Sequence, residues 1–322
     1  MTMCTAITLK SDSFYFGRNL DLECGFNETV CVTPRKYPFV FKNGRILREH
    51  YSMVGMATVS GGYPLYYDAT NEKGLSMAGL NFPGNAVYYA ESEENENITP
   101  FEFIPYILGL CDGVDEAVEK IEKMNLWNNP FSSEFQLTPL HWLIADKKKA
   151  VTVEPLKDGI RIYENPVGVL TNNPPFDFHM QNLANYMKLS PDQPENSFCA
   201  ELNLTPYSLG MGAMGLPGDL SSASRFVRAS FTKLNSVYDD GVTQFFHILT
   251  NVAQPAGLNR IGENKHEYTL YSSCCDTEKG IYYYTTYGNR QITAVNMNNS
   301  ALNGREIAVY PLIKEQQILL QS

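Results

Sequence analysis

The first eighty residues are short apolar or alternating runs separated by polar turns. Residues 4–10 and 14–21 flank Ser11-Asp12-Ser13 and read as a β-hairpin. Residues 29–33 alternate until Pro34, and residues 52–60 form another strand up to Gly61-Gly62. Residues 66–70 then pass through the turn Asn71-Glu72-Lys73-Gly74 into a strand over 75–82. The period now changes to that of helices. Thr99-Pro100-Phe101-Glu102 has the form of a capping box with proline at the first helical position, opening a helix over 100–111. In 114–124, Val114, Ala117, Val118, Ile121 and Met124 share one helical face. Strands return at 140–145, 150–154, 159–163 and 168–170. Helices are expected at 176–187, 221–234 and 242–252, with a loop rich in Pro, Gly, Asn and Ser over 190–219. Residues 267–275, 280–287, 291–297 and 305–310 are β again. The order β, αα, ββ, αα, β predicts an α+β fold, with two antiparallel sheets stacked between helix layers, an αββα sandwich. With no internal repeat and no linker, residues 4–322 read as one domain.

Composition narrows the class. The 322 residues are 43% hydrophobic and 12% aromatic, ample for one large core. A net charge of −10 without a basic block argues against a nucleic-acid partner, and it means an anionic substrate must be held by local cations. The seven cysteines are irregularly spaced with no C-x-x-C, and the five histidines show no metal spacing. Neither a disulfide framework nor a metal is expected, nor any cofactor. There is no signal-peptide pattern and no apolar run of roughly eighteen residues, so the chain is expected to be cytoplasmic and to have no membrane partner.

Candidate chemistry gathers at the start of the chain. If Met1, Thr2 and Met3 are absent from the mature protein, Cys4 carries a thiol and a free α-amine on one residue. An α-amine has an intrinsic pKa of roughly 8, so it is able to take the thiol proton with no histidine. Gly17-Arg18-Asn19-Leu20-Asp21 ends the second strand and is brought beside Cys4 by the hairpin. Arg18 would favour the thiolate or hold a polar substrate group, and Asp21 would orient the amine, the alternative being an ordinary surface ion pair. Asn81 ends an apolar strand and Asn172 precedes Asn173-Pro174. Either is a suitable donor to a tetrahedral oxyanion or a plain turn residue. Arg225 and Arg228 share one helix face, from which one could reach a buried anionic centre. His141 and His247 lie in apolar surroundings, as satisfied core residues would.

Taken in order, these segments resemble the choloylglycine hydrolase family, which includes bile salt hydrolases and penicillin V acylases. The resemblance rests on Met3-Cys4-Thr5-Ala6-Ile7, Phe16-Gly17-Arg18-Asn19-Leu20-Asp21 and Ala78-Gly79-Leu80-Asn81-Phe82. Thr99-Pro100-Phe101-Glu102, Val169-Leu170-Thr171-Asn172-Asn173-Pro174, Gly215-Leu216-Pro217-Gly218-Asp219 and Ser224-Arg225-Phe226 extend it along the chain. It implies Cys4 as nucleophile with its own α-amine as base, and Arg18 and Asp21 beside it. It further implies Asn172, with Asn81 or a backbone N–H, as the oxyanion hole, and Arg225 near the thiol. The implied reaction is hydrolysis of glycine- or taurine-conjugated bile salts through a thioester, by a homotetramer without cofactor. Asn81 stands where penicillin-preferring members tend to carry tyrosine. A steroid-sized pocket is expected from Leu20, Tyr63, Leu65, Phe82, Phe131 and Phe135. One departure is that Met1-Thr2 precede Met3-Cys4, which implies a start at Met3 or removal of a leader of residues 1–3.

Overall fold

The computed structural model describes residues 3–321; Met1 and Thr2, the first two residues of the expected leader, lie outside them. One sheet has seven strands. Strand β1 (Met3–Lys10) lies between Val169–Leu170 and β2 (Phe14–Leu22), and Lys265–Asp276, Ile281–Thr286 and Thr293–Asn296 continue the order, with Asn259–Gly262 paired to Lys265–Asp276. The other has eight, in the order Gly159–Glu164, Ala150–Leu156, Leu140–Ala145, Ser76–Asn81, Tyr63–Asn71, Met53–Ser60, Thr29–Thr33, Ala308–Pro311. Neighbours in both sheets run antiparallel. Helix α1 (Phe103–Leu110), followed by α2 (Val114–Ile121), packs on the eight-stranded sheet. After α3 (Phe176–Asn182), helices α4 (Ser222–Asn235) and α5 (Gly241–Asn251) pack on β1, β2 and Lys265–Asp276. The expected αββα sandwich is what the chain forms.

The continuous apolar runs are explained by this layering, because a strand covered on both faces buries both sets of side chains. In the eight-stranded sheet Met77 and Ile144 face α1, whereas Ala78, Leu80 and Leu143 pack into the core shared with the other sheet. In the hairpin the register pairs Cys4 with Leu20, Ala6 with Arg18 and Met3 with Asp21. Residues three apart on a strand point to opposite faces. Arg18 therefore lies on the Cys4 face, towards the second sheet, and Asp21 on the Met3 face, towards α4 and α5. Gly17 is required here by close approach: a Cβ would sit 2.1 Å from the carbonyl oxygen of Ser273.

Differences from expectation are local. Helix α1 begins at Phe103 rather than residue 100, because the capping box is half made. The Glu102 carboxylate accepts from Thr99 N–H at 3.1 Å, but its other oxygen is taken by Lys42 N–H at 2.6 Å and the Thr99 hydroxyl caps nothing. Helix α2 stops at Ile121, and Met124 instead opens a short parallel strand, Met124–Leu126, against Glu96–Ile98. The expected 190–219 loop is irregular except for one 3₁₀ turn at Met211–Ala213.

Candidate active site

Cys4 sits on the first strand of the seven-stranded sheet, 2% exposed, with Arg18, Asp21 and Arg225 wholly buried around it. The Cys4 N–H donates to Asn172 Oδ1 at 2.8 Å. Arg225, from the first turns of α4, donates through Nη2 to the same oxygen at 2.8 Å. Its Nη1 donates to the Cys4 carbonyl and to Thr5 Oγ1, the latter at 2.6 Å, and its Nε to Leu220 O at 3.0 Å. Asn172 Nδ2 donates to the Asn81 carbonyl at 2.7 Å. These neighbours fix the amide orientation, since a guanidinium only donates and a carbonyl only accepts. Cys4, Asn81, Asn172 and Arg225 are thus joined in one network, although they are dispersed over more than two hundred residues.

Arg18 and Asp21 flank Cys4 from opposite faces. Arg18 Nη1 donates to the carbonyls of Tyr67, at 3.2 Å, and Gly79, while its buried Nη2 has no hydrogen-bond partner. Behind it, Arg18 N–H donates to Ser273 Oγ at 3.1 Å, and that hydroxyl donates to Asp68 Oδ2 at 3.2 Å. Tyr271 and Tyr282 donate to the same carboxylate at 2.8 and 2.6 Å. Asp21 accepts from Thr269 Oγ1 at 2.6 Å and from Gln254 Nε2 at 3.2 Å. Burial pushes its carboxyl above the usual range, opposed chiefly by Arg225.

Burial also raises the Cys4 thiol; Arg18 opposes this, Asp21 adds to it, and the Asp21 backbone N–H and Arg225 lower it again. The resting sulfur is therefore an S–H in this environment, and attack on a carbonyl requires a base at hand. Glu267 accepts from the Met3 backbone N–H, and burial raises its carboxyl to about 7.

A cavity of about 400 Å³ opens at the end of the eight-stranded sheet beneath the 131–138 loop. Of the six expected pocket residues, Leu65, Phe131 and Phe135 line it. Leu20, Tyr63 and Phe82 do not. Leu20 is the cross-strand neighbour of Cys4 and is packed in the core. Tyr63 packs on Phe101 and Phe131, and Phe82 is wholly buried and stacked on His141. Cys4 itself is outside the lining. The cavity meets the site at Tyr67 and Gly79, the two residues whose carbonyls Arg18 holds.

Sequence reasoning passed over Asp68, Gln254, Glu267 and Thr269, which serve Arg18, Asp21 and Met3. Their signal is a long-range register, such as Thr269 opposite Asp21, which no local pattern carries. His179 was also passed over. It is buried on α3 and its Nε2 lies 2.8 Å from the Asn172 carbonyl. Burial lowers it from 6.5 to about 4. The unfolded chain takes up this proton near pH 6.5, whereas the folded site refuses it until about 4. The stabilising contribution is thus complete above pH 6.5 and is lost as pH falls to about 4. His179→Gln should remove this dependence. Between pH 6.5 and 4 the gap in unfolding free energy between variant and parent should move by roughly 3 kcal/mol, read from urea midpoints. A gap that stays constant with pH would refute the assignment.

Comparison with known proteins agrees with the geometry. Residues 4–310 match the linear amide C–N hydrolases, choloylglycine hydrolase family. A bile salt hydrolase/transferase of Lactiplantibacillus plantarum is 53% identical over 98% of this chain and 98% of its own length. A mutant of the conjugated bile acid hydrolase from Clostridium perfringens superposes with a TM-score of 0.94 at 38% identity, covering 99% of this chain and 100% of that one. Penicillin V acylase from Agrobacterium tumefaciens superposes at 0.74 with 19% identity, covering 95% and 90%, a likeness of fold alone. Sandwich, first-strand cysteine and relatives point the same way, and the chain belongs to the choloylglycine hydrolase family, enzymes that cleave linear amide C–N bonds.

Proposed function

We propose that this protein hydrolyses the amide bond of glycine- or taurine-conjugated bile salts, with Cys4 as nucleophile. The observation that carries this reading is the meeting of the Cys4 nitrogen, Asn172 and Arg225 at the head of β1. Loss of residues 1–3 turns the Cys4 nitrogen into a free α-amine. It takes the thiol proton as Sγ bonds to the substrate carbonyl carbon. The oxyanion is met by the second N–H of Asn172 Nδ2 and by Asn81. The C–N bond breaks as the ammonium returns its proton to leaving glycine or taurine. Water, deprotonated by the same amine, then opens the thioester. Asp21 holds the amine, and Arg18, whose Nη2 is buried without a hydrogen-bond partner, supplies the cation that favours the thiolate. Residues 4–322 form the mature single domain.

The apolar cavity offers Phe101, Phe131, Phe135 and Leu65 to a steroid body. Bile salt hydrolase/transferases at 53% and 40% identity over nearly their whole length support a bile salt substrate. The loop between α3 and α4 leaves Phe198 83% and Leu209 91% exposed, which supports a homo-oligomer, here a homotetramer, covering them. Among the described residues no helix is long and apolar enough to cross a membrane; the proposed location is the cytoplasm. In the test, purified protein is given glycocholate, taurocholate and penicillin V, and amine release is measured. Turnover of the bile salts at least about tenfold above penicillin V is the expected result, a difference of roughly 1.4 kcal/mol in transition-state binding. The reverse preference would overturn the substrate class and leave the nucleophile standing.

A further inference from the structure

Two buried histidines outside the reacting set lie on either side of Asn172. His141, from the strand Leu140–Ala145, has Nε2 2.9 Å from the Thr171 carbonyl, and His179, from α3, has Nε2 2.8 Å from the Asn172 carbonyl. A carbonyl oxygen only accepts, so both nitrogens carry hydrogen, which fixes the protonation pattern from the network. His141 Nδ1 lies 3.0 Å from Glu154 Oε1, and one proton in that contact satisfies both while Nε2–H stays in place. His179 Nδ1 is buried with no hydrogen-bond partner, so in the Nε2–H tautomer it is an unused acceptor and the Asn172 carbonyl is the ring's one hydrogen-bonded anchor among the described residues.

Each ring is also held flat against a phenylalanine. His141 stacks on Phe82, with centroids 4.2 Å apart and planes 4° apart. His179 stacks on Phe226 at 4.8 Å and 20°. Phe82 directly follows Asn81, and Phe226 directly follows Arg225. The two imidazoles therefore tie two other segments of the site, those of Asn81 and Arg225, to the dipeptide Thr171-Asn172. The Asn172 N–H of that dipeptide donates to Ser222 Oγ at 2.8 Å, on the helix that carries Arg225.

We propose that His141 and His179 are positioning residues for acyl transfer: they clamp the Thr171 and Asn172 carbonyls and so hold the Asn172 amide at the sulfur. This rests on the reading that Asn172 donates to the oxyanion. Neither histidine touches the reacting atoms. Each acts through Asn172, whose amide must be placed before the charge develops, because a donor displaced by about 1 Å can forfeit on the order of 100-fold in rate.

The test uses the full mature chain and a conjugated bile salt. His179→Phe keeps a ring against Phe226 and removes the donor; His179→Gln keeps an N–H near the Nε2 position and removes the ring. In His179→Phe, kcat should fall about 10- to 100-fold with KM within about twofold and the rate of Cys4 alkylation by iodoacetamide unchanged. His179→Gln should recover to within about fivefold of the parent, which a purely structural ring would not allow. If His179→Phe does not fold, His179→Asn against His179→Gln gives the same comparison, the shorter amide being too short to reach. A folded His179→Phe with parental kcat, or Asn and Gln variants of equal activity, overturns the clamp. Asn172→Ala is measured alongside. If it loses kcat while His179→Phe does not, the clamp fails and the oxyanion reading stands. Parental kcat in Asn172→Ala would overturn that reading, and the clamp's catalytic role with it.

Discussion

Cys4→Ala should abolish turnover, by at least about 10⁴-fold in kcat, while leaving the fold intact. The sulfur is the atom to which the acyl group bonds, so no neighbouring residue replaces it. The side chain is small and packed among other apolar residues of the intersheet core, and truncating it to a methyl removes little buried surface. Cys4→Ser makes a sharper test of the base. Burial holds even the thiol protonated, and a hydroxyl is a far weaker acid, so the α-amine would have to remove a much less acidic proton. Its kcat should lie far below the parent and above the alanine variant. The amine route also fixes the mature terminus. Mass spectrometry of the active protein should give a chain beginning at Cys4. Full activity in chains that retain Met3 would overturn the amine as base, because the Cys4 nitrogen would then be an amide without a usable lone pair.

How much of this was legible beforehand depends on the distance over which each feature is specified. The hairpin and its polar turn are local, and so the approach of Arg18 and Asp21 to Cys4 followed from the sequence of residues 4–21. The two-layer β architecture followed from runs too apolar for a sheet with one wet face. Asn172 and Arg225 each looked like a turn residue or a solvated cation until the family motifs were read together. The network that makes them more, Asn172 Oδ1 shared by Cys4 N–H and Arg225, exists only after α4 docks on β1. The pocket residues were harder still. Phe82 and Phe135 are both phenylalanines in loop-flanking positions, yet one stacks on His141 in the core and the other lines the cavity. Composition cannot separate them, because the choice is made by neighbouring strands of the eight-stranded sheet that are distant in sequence. Nor could sequence have assigned His141 beyond a satisfied core residue: its partners, Glu154 and Thr171, lie 13 and 30 residues away.

Arg225→Met should cost both stability and activity, and it separates charge from bulk. Methionine fills much of the same volume in the apolar part of α4 but leaves the Cys4 carbonyl, Thr5 Oγ1, Leu220 O and Asn172 Oδ1 without the shared donor. It also removes the cation that most opposes the burial of Asp21, so the Asp21 carboxyl rises further above its usual range. Breaking a buried charge pair in this one-sided way costs about 3–5 kcal/mol, which would appear as a lower urea midpoint. Arg225→Lys should not restore the site. A lysine presents its donors from one point, whereas the guanidinium fork reaches Leu220 on one side and Cys4, Thr5 and Asn172 on the other. The pH dependence gives the sign. With Asp21 raised in the folded state of the variant, the unfolded chain releases that proton near its ordinary value while the folded one retains it. The stability deficit of Arg225→Met should therefore widen as pH rises from about 4 towards neutrality. A deficit independent of pH would mean that Arg225 acts on Asp21 through packing alone.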